Sequence, residues 1–138
     1  MTRILACVLG AVVALAAGPV LAQSPDPSFP VNQLWQAETL NGKNVRAAKV
    51  TLTVTRDAEG TRGTGYAGCN RWAASITIGS HQLTFGPVMG TRRACAGPEM
   101  QIEEAFLKIL GGNPGWKIQD GVLVLSGAGG EVHFAPGK

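Results

Sequence analysis

Lys49-Val50-Thr51-Leu52-Thr53-Val54-Thr55-Arg56 is the stretch that decides the fold. Val50, Leu52 and Val54 alternate with Thr51, Thr53 and Thr55, so an extended chain sends one set to each face. Val and Thr are β-branched and suit a pleated, half-buried surface. The stretch reads as a strand with one buried face. The same period of two recurs at Ile76 and Ile78, at Leu83 and Phe85, and at Val132 and Phe134 on either side of His133. Further strands are expected over 34–39, 61–68, 116–119 and 122–125. Turn-formers separate them: Asn41-Gly42, Glu59-Gly60, Gly79-Ser80, Asp120-Gly121 and the glycine-rich residues 127–130. Asp120-Gly121 between two short apolar runs signals a hairpin, because a type I′ turn needs two residues with positive φ.

Residues 98–110 break this period. Ile102, Ala105, Phe106, Ile109 and Leu110 recur at three- and four-residue spacing, the signature of an amphipathic helix. Pro98 suits the first helical position, Glu99 complements the N-terminal dipole, and Gly111-Gly112 supplies a stop. Ile102, Phe106 and Ile109 are expected to pack on the sheet. About eight short strands and one helix predict a mainly β (α+β) domain. Its expected form is a small antiparallel β-barrel or strongly curved sheet with one packed helix, since closure removes exposed edges.

The chain begins in a different physical class. Arg3 opens an uncharged apolar run over residues 4–17, Gly18-Pro19 breaks it, and Val20-Leu21-Ala22 suits cleavage before Gln23. Residues 1–22 therefore read as a secretory signal peptide, too short in its apolar run for a spanning helix. A lipid anchor on Cys7 would leave almost no apolar region ahead of the cysteine. Residues 23–30, with Pro25, Pro27 and Pro30, read as a flexible leader, and one domain is expected over 31–138. The expected location is periplasmic or secreted, with no transmembrane segment in the mature chain.

Removing the signal takes Arg3 with it, so a formal net charge of +3 falls by one. The remaining charge is too weak and scattered for nucleic acid, which selects a concentrated basic stripe. One domain of this length also excludes a two-domain enzyme. Cys7 leaves too, and Cys69 and Cys95 remain. In an oxidising compartment the simplest state is a disulfide closing roughly 26 residues, with a chain-entropy gain of about 3.5 kcal/mol. A free buried pair and a reactive or metal-binding role are the alternatives.

Gly68-Cys69-Asn70-Arg71-Trp72, Leu83-Thr84-Phe85-Gly86-Pro87, Thr91-Arg92-Arg93-Ala94-Cys95, then Met100, Glu103 and Phe106-Leu107 follow in close order. In order and spacing this resembles the META domain, the family of heat-shock-associated, HslJ-like proteins of bacterial envelopes. The resemblance runs over roughly 31–135. It implies a barrel-type antiparallel fold with a helix, export or lipid anchoring, links to heat shock and envelope stress, and no established catalytic mechanism. Gly68, Cys69, Asn70, Thr91, Cys95 and Glu103 fall on the family's motif positions. Arg93 departs from it, since the family more often has an apolar residue there, which leaves the burial of this side chain open.

Catalytic readings are thin. A cysteine nucleophile needs a histidine base within hydrogen-bond reach, and His81 and His133 fall on polar phases. Zinc needs three or four ligands at recognisable spacing, and none is expected. Glu99, Glu103 and Glu104 share one helix, where a solvated face is the ordinary explanation, so they do not make a glycosidase pair across a cleft. The glycines of 60–68 lack a Gly-Lys-Ser/Thr ending and a following helix, and fit a bulge or close backbone approach in a curved sheet. Asn70 is expected to hydrogen-bond backbone in the turn after Cys69, an environment in which Asn tolerates left-handed φ.

The suggestive feature is cationic. A Cys69–Cys95 bridge would gather Arg71, Arg92 and Arg93 into one neighbourhood with Trp72 beside them, although the strand phase of Trp72 also permits burial. These four form a candidate binding patch for an acidic partner, with solvated arginines beside Glu99 or Glu103 as the plain alternative. The expected function is a stress-related, non-enzymatic envelope module, monomeric and without a cofactor, that binds an envelope protein or cell-wall polymer or stabilises the envelope. The alternatives are an inhibitor of an exported hydrolase, or a small ligand-binding barrel or exported enzyme with a deep pocket.

Overall fold

The structure, a computed structural model, describes Gly18 and residues 28–138. The signal-peptide expectation for residues 1–22 and most of the expected leader lie outside the described residues. Ten strands and one α-helix follow in the order β1 Leu34–Leu40, β2 Lys43–Asn44, β3 Thr51–Asp57, β4 Gly60–Tyr66, β5 Arg71–Ile78, β6 Leu83–Phe85, β7 Met89–Gly90, α1 Glu99–Gly111, β8 Gly115–Gln119, β9 Val122–Gly127 and β10 Gly130–Pro136. A short 3-10 turn, Arg46–Ala48, joins β2 to β3. The main sheet runs β6-β5-β4-β3-β1-β10-β9-β8, with β2 on β1 and β7 on β5. Every pairing is antiparallel.

The two end strands approach each other. Leu83 N–H donates to the Pro114 carbonyl and Trp116 N–H to the His81 carbonyl, both at 2.9 Å. The sheet is therefore a nearly closed barrel, and closure satisfies backbone groups that an open edge would leave exposed. Hairpin chemistry sets the register. Asp120 and Gly121 take φ of 52° and 78° between the paired residues Gln119 and Val122, the turn read from the sequence.

The period of two fills the interior. Val50, Leu52, Val54, Trp72, Ala74, Ile76, Val132 and Phe134 point inward and are buried. On β1 the phase changes: Trp35 and Ala37 point in, then Leu40, because a register shift between Ala37 and Thr39 inserts an extra residue against β10. Such a bulge lets a strand switch which residues face the core. Helix α1 packs against this interior with Phe106, whose ring meets Trp72 at 5.8 Å and Phe134 at 6.2 Å, both edge-on. Phe106, Ile109 and Leu110 are buried, whereas Ile102, expected in the same face, is half-buried at the rim. Pro98 sits at the N-cap and not at the first helical position, so the helix begins at Glu99, one residue later than expected.

The leader boundary also moves. Phe29 is buried, and its ring stands edge-on to Trp116 at 5.1 Å, so the folded unit includes Phe29 and does not start at Val31. Flanking prolines conceal from a local reading that this aromatic ring completes the core. Among the described residues, no helix is long and apolar enough to cross a membrane.

Candidate functional site

The chain between β4 and β5 turns sharply against the start of α1. Gly68 takes φ of +113°, and a Cβ there would lie 3.2 Å from the Glu99 carbonyl oxygen, so backbone conformation and helix contact both require glycine. Cys69 follows and is bonded to Cys95, with Cα atoms 6.0 Å apart. The bridge ties the β4–β5 turn to the irregular segment before α1.

Glu103 lies beneath this turn. Its Oε2 accepts the backbone N–H of Asn70 at 2.7 Å and of Cys69 at 3.3 Å, and its Oε1 accepts Asn70 Nδ2 at 2.9 Å. Asn70 uses its remaining valences on the opposite segment: Nδ2 donates to the Arg93 carbonyl at 3.0 Å, and Oδ1 accepts Arg93 N–H at 2.6 Å and the Thr91 hydroxyl at 2.9 Å. Thr91 Oγ1 in turn accepts Arg71 N–H at 3.1 Å, and Thr91 N–H donates to the Arg71 carbonyl at 3.1 Å. Both donors and both acceptors of the Asn70 amide are thus in use. Gly68, Cys69, Asn70, Thr91, Cys95 and Glu103 come together in one place, a polar network with Cys69, Asn70 and Glu103 buried at its centre, Cys95 half-buried and Thr91 at the exposed rim.

Two expectations are corrected here. Glu103 is not part of a solvated helix face: it is 8% exposed and saturated with donors, while Glu104 beside it is exposed. The helical periodicity could not distinguish them, because the partners of Glu103 lie more than 30 residues away in sequence. Asn70 does bond backbone, but that of the distant segment 91–93, and the positive φ belongs to Gly68.

The sequence model of one family, the META domain, matches residues 29–138. The chain belongs to the META domain family. Two solved structures are similar to it. An NMR structure of a protein from Burkholderia xenovorans is 26% identical, covers 87% of this chain and 96% of its own, and superposes with a TM-score of 0.62. A second NMR structure, 20% identical, covers 75% of this chain and 87% of its own at a TM-score of 0.63, a likeness of fold. A search of curated proteins returned no match.

Around the buried network of this META domain stand the arginines. Arg71, Arg92 and Arg93 are all exposed, which answers the question left by the departure at Arg93. The ion pairs among the described residues, Arg46 with Glu38 and His133 with Glu131, involve none of the three. Glu103 makes no ion pair with them, its two oxygens being engaged by Cys69 and Asn70. Trp72 leaves the patch: it is buried inside the barrel, and its indole Nε1 donates to the Thr51 carbonyl at 3.3 Å across Gly65. The pleat explains the split, for neighbours on a strand face opposite sides.

A groove of about 320 Å³ opens between β7 and α1, with Arg71 and Arg92 in its lining. Val88, Met89 and Leu107 line it as well. Met89 is 63% exposed, a large apolar side chain left in water. Neither Val88 nor Met89 was singled out in the sequence, because two residues between Pro87 and Gly90 carry no period. Among the described residues, no group of three His, Cys, Asp or Glu side chains is placed to hold a metal. Cys69 and Cys95, being bonded to each other, offer no thiolate. What this face presents chemically is the exposed guanidinium groups of Arg71, Arg92 and Arg93.

Proposed function

We propose that this META-domain protein is an exported, non-enzymatic binding module of the bacterial envelope that engages an acidic partner through Arg71, Arg92 and Arg93. One observation carries the reading: three exposed arginines, without a carboxylate partner among the described residues, are mounted on backbone held by a disulfide and a hydrogen-bond network. Rigid placement lowers the ordering cost of binding, and arginine forks recognise carboxylates or phosphates in two-point contact. The disulfide is compatible with an oxidising compartment. The interior favours a binding surface over a ligand-carrying barrel, since Trp72, Phe85, Phe106 and Phe134 occupy its centre.

The test is charge reversal. The purified protein and its Arg71→Glu/Arg92→Glu/Arg93→Glu variant are compared for retention on washed envelope fractions, with circular dichroism checking the fold. Retention is expected to fall at least tenfold and to weaken with added salt. Equal retention of a folded variant overturns the reading.

A further inference from the structure

We infer that the groove between β7 and α1 receives a partner polypeptide segment that presents a carboxylate next to an apolar side chain. The inference rests on the reading of the arginine face as the binding face and adds the nature of the partner. Its basis is the pairing of two unlike surfaces in one depression. Arg71 and Arg92 supply the cationic side, while Val88, Met89 and Leu107 supply the apolar side.

The floor narrows the chemistry. Asn70 has no hydrogen-bonding capacity left, Glu103 already accepts three donors, and the Trp72 indole N–H is bonded to the Thr51 carbonyl. A sugar ring needs several convergent donors and acceptors, and the buried side chains of this floor keep one Glu103 lone pair at most. The guanidinium N–H forks of Arg71 and Arg92 make no hydrogen bond or ion pair among the described residues, and such forks fit a carboxylate in two-point contact. An exposed methionine favours an apolar contact and adapts to varied side-chain shapes. The volume, about 320 Å³, lies at the small end of ligand sites and suits a side chain or two of a longer segment. A bilayer is a poor match, because a recessed groove with few arginines gives an anionic surface little purchase.

The probe is a fluorescein-labelled octapeptide carrying aspartate followed by leucine in a glycine–serine background, titrated into the purified protein by anisotropy. Parallel titrations use the same peptide with asparagine for aspartate, with serine for leucine, and phosphatidylglycerol–phosphatidylcholine vesicles. Amide shifts of the 15N-labelled protein locate the contact. Saturable binding is expected, with the largest shifts at Val88, Met89 and Leu107. Arg71→Gln/Arg92→Gln and Met89→Ser should each weaken it about tenfold, as should either peptide change. The peptide changes keep the test sound even if a protein variant fails to fold.

Equal binding of the serine peptide, or no effect of Met89→Ser in a folded protein, overturns the apolar half and with it the inference, while leaving the arginine face standing. Preference for vesicles over the peptide overturns the inference, as does absence of saturable peptide binding. Failure of the arginine face itself would show separately, as undiminished envelope retention of the triple charge-reversal variant.

Discussion

Glu103 on α1 holds Asn70 at both ends: one carboxylate oxygen accepts the Asn70 backbone N–H at 2.7 Å, the other its side-chain amide at 2.9 Å. Through this pair the helix is fastened to the β4–β5 turn, and through Asn70 the turn is fastened to the segment bearing Arg92 and Arg93. The arginine-bearing segment is thus an extension of a buried polar joint.

Removing the carboxylate strands its donors. Glu103→Ala should cost about 3 kcal/mol, since unsatisfied buried donors cost about 1–3 kcal/mol each with partial relaxation. Glu103→Gln should cost about 2 kcal/mol, because either orientation turns its NH2 toward a donor that now finds an acceptor on both oxygens. Urea unfolding of both variants checks this, and a Glu103→Gln protein as stable as the parent would contradict the network.

The disulfide is expected to stabilise by about 3.5 kcal/mol through restriction of the unfolded chain. Reduction, or Cys69→Ser/Cys95→Ser, should lower stability by that amount. It should not release Thr91, which remains paired with Arg71 and Asn70. Fast backbone motion, read by 15N relaxation, should therefore rise over residues 94–97 while Thr91 keeps its hydrogen-exchange protection.

Two glycines should respond oppositely to alanine. A Cβ on Gly65 would overlap the Thr51 carbonyl and press on the Trp72 indole, which lies 2.9 Å away. Gly65→Ala should cost roughly 3 kcal/mol or more, since backbone must shift. At Gly111 a Cβ meets nothing within 4 Å in the last turn of α1, so Gly111→Ala should gain about 0.5–1 kcal/mol. Thermal unfolding of the pair, read by circular dichroism, distinguishes them.

Phe29 marks where the fold begins. Its edge-on contact with Trp116 predicts that Phe29→Ala lowers stability by about 3 kcal/mol and alters tryptophan fluorescence. A fully stable Phe29→Ala protein would return this residue to the leader.

What this chain declared by itself was its local grammar. Alternation about Leu52 named a strand and its buried face, Asp120-Gly121 named a turn that only positive φ can make, and Phe106 at helical spacing named the packed face of α1. Each depends on neighbours within a few residues, so each is written locally. Tertiary structure decided the rest. Glu103 and Glu104 differ by one position on a helix, yet only the first meets donors from a turn 33 residues earlier. Trp72 and Arg71 are adjacent on a strand, so the pleat sends them to opposite faces, but only the packing of α1 made the Trp72 side the interior. Burial and polar partnership are properties of elements brought together from afar, which is why Arg71 came near Arg92 and Arg93 only once Thr91, Asn70 and the disulfide had joined their two segments.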